Sequence, residues 1–313
     1  MNRFAFSFLV GILFAEAATA QVVGLGTTQV GATNQLSTAI AKAVSDKGLQ
    51  MRTQPMAGAA QYAALVNRGD IEFGISNAAE LHYLVKGEVI VEKPNPDLRA
   101  VARLTPWYNG LVVKKDSNIK SLKDLKGQPM PSGFAGNPLG RVLIVGYLAN
   151  AGLTPEDTRP VPVPAFPRMF DAFKQQQTAV SIATIGMSQL QEWTVALGGV
   201  RFLPFDPSPA AVAAMARYIP NSYVVEVKPG AGRVGIDTPT LMLVYDYVLW
   251  ANDKVKDEIV VKVIDSLYTS VAELKATGPL WNEFDPALMG KDVGLAPHPA
   301  AAKYYQAKGL KSK

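Results

Sequence analysis

Apolar and polar positions along this chain switch repeatedly between a two-residue and a helical period. Val22 to Gly26 is a short continuous apolar run that reads as a buried strand. From Asn34 to Lys47 the apolar residues Leu36, Ile40, Ala43 and Val44 recur at the spacing of one helix face. Leu49 to Gln54 alternates as a strand does, with Pro55 closing it. Gly58 opens a second helix through Asn67, with Tyr62, Leu65 and Val66 inward. Arg68-Gly69-Asp70 is a turn, and Ile71 to Ile75 is a strand ending in Ser76-Asn77. This order of strands and helices with short connections predicts a parallel sheet flanked by helices.

The pattern then repeats. Leu98 to Leu104 and Leu111 to Lys115 read as two strands, and Ser121 to Leu125 as a short helix closed by Gly127. Ser132 to Gly140 is a small-residue loop with Pro138 in the first turn of a helix that runs to Ala151, capped by Gly152. Pro160 to Pro164 is extended, Pro167 to Gln176 helical, Ala179 to Thr184 a strand, Met187 to Leu197 a helix and Arg201 to Phe205 a strand. From Ser222 the character changes. Tyr223 to Val227 and Thr240 to Ala251 read as strands, Asn252 to Ala276 as one long helix with Asn252 or Asp253 as its N-cap, and Pro299 to Lys308 as a short helix. The chain is thus expected to contain two α/β halves, each with a Gly/Ser/Thr-rich loop leading into a helix.

The first residues do not follow either period. Arg3, the apolar run Phe4 to Phe14, and Ala18-Thr19-Ala20 form the three parts of a secretory signal, with cleavage expected before Gln21. The apolar run is too short for a permanent anchor, and the next most apolar stretch, Thr240 to Ala251, is short and carries Asp246. Residues 1–20 are therefore expected to be a signal peptide and the mature protein a soluble, exported one. The sequence has no cysteine, which excludes disulfides, thiolate metal sites and a cysteine nucleophile. Its net charge of +5 is spread among acids with no basic cluster, so no nucleic-acid partner is expected.

Catalytic chemistry is sparse. The two histidines, His82 and His298, have no second ligand at metal spacing, and no H-E-x-x-H or EF-hand pattern occurs. The nearest fragment to a nucleophile elbow is Gly186-Met187-Ser188, where Leu190 replaces the second glycine. Gly24-Leu25-Gly26-Thr27-Thr28-Gln29 lacks the third glycine of a dinucleotide loop. The chain reads as a non-enzyme with no cofactor and no metal. What remains suits binding. Loops at Thr27–Thr33, Ala57–Ala59 and Ser132–Asn137 each feed a helix N-terminus, whose free N–H groups and dipole favour an anion such as a carboxylate. Ligands of open α/β sheets sit beyond the carboxyl ends of strands, where these loops lie.

Several segments resemble one family. They are Met56 to Asn77, Leu98 to Val101, Ile119 to Gly127, Tyr218 to Tyr223 and Gly235 to Thr240, in order along essentially the whole mature chain. They are similar to the TAXI-type solute-binding subunits of TRAP transporters, within the type II periplasmic binding proteins. The resemblance implies an α/β fold of two lobes, each a mainly parallel sheet flanked by helices, with a ligand cleft between them. It implies lobe I at residues 21–106 plus 235–313 and lobe II at 107–234. It also implies periplasmic capture of a small organic ligand, carboxylate-like, and delivery to TRAP membrane subunits driven by an ion gradient. The positions matching the cleft are Thr27, Thr28, Gly31, Asn34, Gly58, Ala59, Ser76 and Asn77, with Trp107, Tyr108, Phe134, Gly136, Asn137, Thr184 and Ile185 from the hinge and second lobe. The first loop departs from the family in lacking aromatic residues, so its ligand is expected to differ. Arg103 and Arg168 are further candidates to clamp a carboxylate. The alternatives left open are a binding protein of an ATP-driven importer or of a sensor kinase, and an exported enzyme on the same fold.

Overall fold

The structure is a computed structural model and describes residues 22–310. The signal-like segment lies outside the described residues. The first half is built from β1 (Val22–Thr28), α1 (Ala32–Asp46), β2 (Gln50–Met56), α2 (Ala59–Arg68), β3 (Phe73–Asn77) and α3 (Ala78–Lys86). β1 lies parallel between β2 and β3. The apolar stripe of α1, including Leu36, Ile40 and Val44, is fully buried, as its spacing predicts. Pro55 lies within β2, opposite Thr27, rather than after it. β2 is the edge of the sheet, where a missing N–H leaves no ladder bond unmade. Helix α3 was not legible from periodicity: Ala78, Ala79, Glu80, Leu81, Tyr83 and Leu84 are all buried, so it shows no polar face of the usual width. Asn77 caps it, its side chain accepting from the Glu80 N–H at 2.8 Å.

Next comes β4 (Leu98–Lys114), then β5 (Pro129–Gly133), α4 (Pro138–Asn150), β6 (Arg159–Val163), α5 (Phe166–Lys174), β7 (Ser181–Thr184), α6 (Ser188–Leu197), β8 (Val200–Phe202), α7 (Pro209–Ala216) and β9 (Tyr223–Val227). After β10 (Thr240–Asn252) the chain ends in α8 (Asp257–Thr269), α9 (Val271–Ala276) and α10 (Pro299–Ala307). The single helix expected over Asn252–Ala276 is two, divided at Ser270. Neither Asn252 nor Asp253 caps it; Lys256 stands at that position. Asn252 instead ends β10, and its buried amide donates to the carbonyls of Val66 and Asn67 at 2.9 and 2.8 Å, tying the strand to α2.

The two strands expected at Leu98–Leu104 and Leu111–Lys115 are one strand of 17 residues. The chain stays extended through Pro106 and Gly110 because β10 runs antiparallel beside it. Among the described residues every antiparallel pairing involves β4 or β10, whereas β1–β2, β1–β3 and β5–β6 are parallel. The two long strands cross between halves. The Asn252 end of β10 pairs with β3 on one side and the Leu98 end of β4 on the other, while at their other ends β4 pairs with β7 and β8 and β10 with β9. At the midpoint Pro106 faces Asp246, and the register slips between Asp246 and Val248. A proline with no N–H and a register slip both weaken the ladder at that point.

Candidate functional site

A cavity lies between the halves, against the middle of the crossing strands. About 570 Å³ of empty space, part of it open to solvent, is bounded there. Trp107 and Asn109 from β4 and Tyr245 and Tyr247 from β10 line it from the sheet. The first half contributes the loop from Val30 to Thr33, with Asn77 and Glu80 at the start of α3. The second contributes Asn137 and Leu139 from the start of α4, Phe166 and Phe170 from α5, and Ile182 to Thr184 from β7. The cavity thus sits at strand ends and beside the N-termini of α1, α3, α4 and α5, as in other open α/β sheets.

Of the fifteen residues expected in the cleft, Thr28, Gly31, Asn77, Trp107, Asn137 and Thr184 line this cavity. Tyr108 and Ile185 line an adjoining depression that also reaches Trp107 and Thr184. There the Tyr108 hydroxyl donates to Glu283 at 2.6 Å, and burial, aided by that bond, holds its pKa far above the ordinary value. Asn34 braces the first loop, its amide donating to the Thr28 carbonyl at 2.9 Å. The buried Thr27 hydroxyl donates to the Thr33 carbonyl. Gly58 and Gly136 stand at the rim. The Ser76 hydroxyl accepts from the Trp250 indole at 3.0 Å within the first half, and Ala59 is buried at the start of α2. Phe134, with φ 59°, packs over Gly140 and beside Phe166. Arg103 and Arg168 do not reach the cavity. Arg103 is buried in an ion pair with Asp246 at 2.9 Å, and Arg168 is an exposed partner of Asp171.

The rims touch. The Asn137 amide donates across the gap to the Ala57 carbonyl at 3.0 Å. A Cβ on Gly58 would come within 2.7 Å of the Asn137 amide, so the approach needs a glycine there. Further along, the Gln35 amide donates to the Ser188 hydroxyl at 2.8 Å, and the Tyr83 hydroxyl to the Tyr218 carbonyl at 2.8 Å. These are direct bonds between the halves, and the form described is a closed one.

The electrostatics of the interior are unusual for an anion site. Among the described residues, no lysine or arginine lines the cavity, but Glu80 does. Burial pushes its carboxyl up to about 8. The side chain makes no hydrogen bond among the described residues, while its backbone N–H is used by Asn77. Around it stand Tyr62, Tyr245 and Tyr247, all raised chiefly by burial and further by Glu80. The Tyr247 hydroxyl bonds to the Thr33 hydroxyl. Asn109 is fixed between the Tyr147 hydroxyl, which donates to it, and Thr184, to which it donates at 2.7 Å. The indole N–H of Trp107 is buried without a partner. A buried donor and a buried acid left unpaired are costly in a folded protein unless something else satisfies them. No group of three or more potential metal ligands is present among the described residues.

Sequence reasoning placed Thr33 in the first loop but missed Glu80, Asn109, Phe166, Phe170, Tyr245 and Tyr247. A local signal existed for Glu80 alone: Asn77-Ala78-Ala79-Glu80 has the spacing of a helix start after a strand. The tyrosines gain their place through the register of β10 on β4, which sets Tyr245 opposite Trp107.

Solved structures share this architecture. One, described as a periplasmic transporter, has a TM-score of 0.58 at 13% identity, covering 94% of this chain and 95% of its own. The binding protein component of an ABC phosphonate transporter from Pseudomonas aeruginosa has 0.54 at 13% identity, covering 93% and 85%. The alkanesulfonate-binding protein from Xanthomonas axonopodis pv. citri, bound to MOPS, has 0.51 at 16% identity, covering 94% of both chains. At such identities the common property is the fold, that of two-lobed periplasmic binding proteins. The sequence pattern of the NMT1-like family extends over residues 24–309, and the chain belongs to that family.

Proposed function

We propose that this protein is an extracytoplasmic solute-binding protein that captures a small organic ligand by closing its two lobes and hands it to a membrane transporter. The observation that carries the reading is a cavity walled by both halves whose rims hydrogen-bond directly to each other, Asn137 to Ala57. The hinge is the stretch of β4 and β10 around Pro106 and Asp246, where the ladder is weakest. Ligand contacts to both walls favour the closed form, which is how binding drives closure.

Two kinds of membrane partner fit. Similar structures that serve ABC transporters support an ATP-driven importer. The segments shared with TAXI-type subunits support an ion-gradient transporter of the TRAP type. Reconstituted uptake with each kind of membrane subunit separates them. A carboxylate-like ligand finds support in the helix N-termini at the cavity but none in its side-chain charges.

The absence of cysteine offers a direct test of closure. A Cβ on Gly136 would lie 3.8 Å from that of Ala57, within the range a disulfide spans. The double variant Ala57→Cys/Gly136→Cys is expected to lock shut on oxidation, stopping ligand exchange, and to recover on reduction. Exchange as fast in the oxidised as in the reduced form would refute capture by closure.

A further inference from the structure

We infer that the cleft selects a ligand bearing a protonated nitrogen, an organic ammonium or amidinium, and that the Glu80 carboxylate is the group that pairs with it. The inference rests on the solute-capture reading and names the charge of its ligand. Glu80 is 4% exposed and faces the cavity from the first turn of α3 with no side-chain partner. A carboxyl group so placed is retained at a loss of stability unless a counter-charge arrives. No lysine or arginine among the described cavity-lining residues supplies one, and the basic residue nearest in the ladder, Arg103, is already committed to Asp246.

The surroundings suit a cation further. Trp107, Tyr245, Tyr247 and Phe170 present aromatic rings to the same space, and ring faces attract an ammonium ion, more so when it is shielded from water. The groups facing Glu80 with charge to exchange are tyrosines: Tyr62 from α2 and Tyr245 and Tyr247 from β10. Asp246 lies between those two tyrosines on β10, so the strand's alternation turns it to the opposite face, with Arg103 and Lys291. The unpartnered Trp107 N–H is then available to an acceptor elsewhere on the ligand.

In the closed form described, Glu80 holds its proton up to about pH 8. A cation pairing with the carboxylate at pH 7 must therefore displace that proton, and net proton release is expected on binding. An anion or a neutral ligand would leave that proton in place and move almost none.

The test is calorimetry at pH 7 in two buffers of different ionisation enthalpy. The probes are benzylamine, benzyl alcohol and benzoate, which share a ring, together with choline, putrescine and glutarate. Binding is expected of benzylamine or putrescine, with choline, which has no N–H, bound more weakly or not at all, together with proton release and at least a tenfold loss of affinity in Glu80→Gln. The variant lacks the unpaired acid of the cavity, so it should be at least as stable as the parent without ligand, and the proton count on the unaltered protein needs no variant. Binding of benzoate or glutarate that is unchanged or tightened in Glu80→Gln, without proton release, overturns the inference and leaves capture standing. Binding of benzyl alcohol equal to that of benzylamine overturns it as well. No binding by any probe counts against both readings.

Discussion

Glu80 and Asp246 are both buried carboxylates near the centre of this molecule, and they are treated in opposite ways. Asp246 is held by the Arg103 guanidinium at 2.9 Å and by Lys291 at 2.8 Å. Glu80 has no side-chain partner and faces a cavity. The first arrangement satisfies its charges internally, where β10 crosses β4. The second leaves an ionisable group to be satisfied from outside, which a fold keeps only where a ligand or a reaction makes use of it. The difference teaches that burial of an acid is uninformative by itself; what completes its environment separates framework from site.

The comparison is sharpest in pH dependence. The folded protein keeps a proton on Glu80 up to about 8, against 4.5 for the ordinary glutamate. Between these values the folded state binds more protons than the unfolded one, so stability falls as pH rises through that window. The full difference is on the order of 5 kcal/mol. Urea unfolding at pH 5 and pH 8 should show this fall in the parent and lose it in Glu80→Gln. Identical slopes in both proteins would place Glu80 in water. At the framework acid the sign reverses: Asp246→Asn leaves Arg103 buried without its counter-charge and is expected to destabilise by roughly 3–5 kcal/mol at neutral pH. A neutral effect there would mean that this pair is solvated and that the contrast fails. The smallest effect concerns the rim. Asn137→Ala removes one bond between halves, about 1 kcal/mol of closure free energy, which lowers ligand affinity roughly fivefold by calorimetry with little change in unfolding. Affinity equal to the parent's would remove Asn137 from the closing contact.

Much of the fold can be read directly from the sequence. The helical stripe of α1, the strand–helix alternation of the first half and the glycine-marked turns lead to the observed elements. The failures have physical causes. α3 is buried almost all round, so periodicity is silent. Pro106 reads as a break in β4, but a partner strand keeps the chain extended through it. Within the site, the small-residue loops are legible because a chain entering a helix beside a ligand needs Gly, Ser, Thr or Asn. Thr28, Gly31 and Asn137 are found that way. Glu80, Tyr245 and Tyr247 are not, because their meaning depends on burial and register. Arg103 reads as a ligand clamp until its partner, 143 residues away, is seen to neutralise it.

The central claim is capture of a small solute between the lobes, and ligand-dependent stability tests it most directly. Thermal unfolding of the protein from Gln21 onward is measured against organic ammonium compounds, neutral solutes, and organic acids including sulfonates and phosphonates. One chemical class is expected to stabilise it, by about 2.7 kcal/mol when the solute is at a hundredfold its dissociation constant. The same solute should stabilise the oxidised Ala57→Cys/Gly136→Cys form far less, since its cleft is shut. No stabilisation by any class, or equal stabilisation of the locked and unlocked forms, would contradict the account.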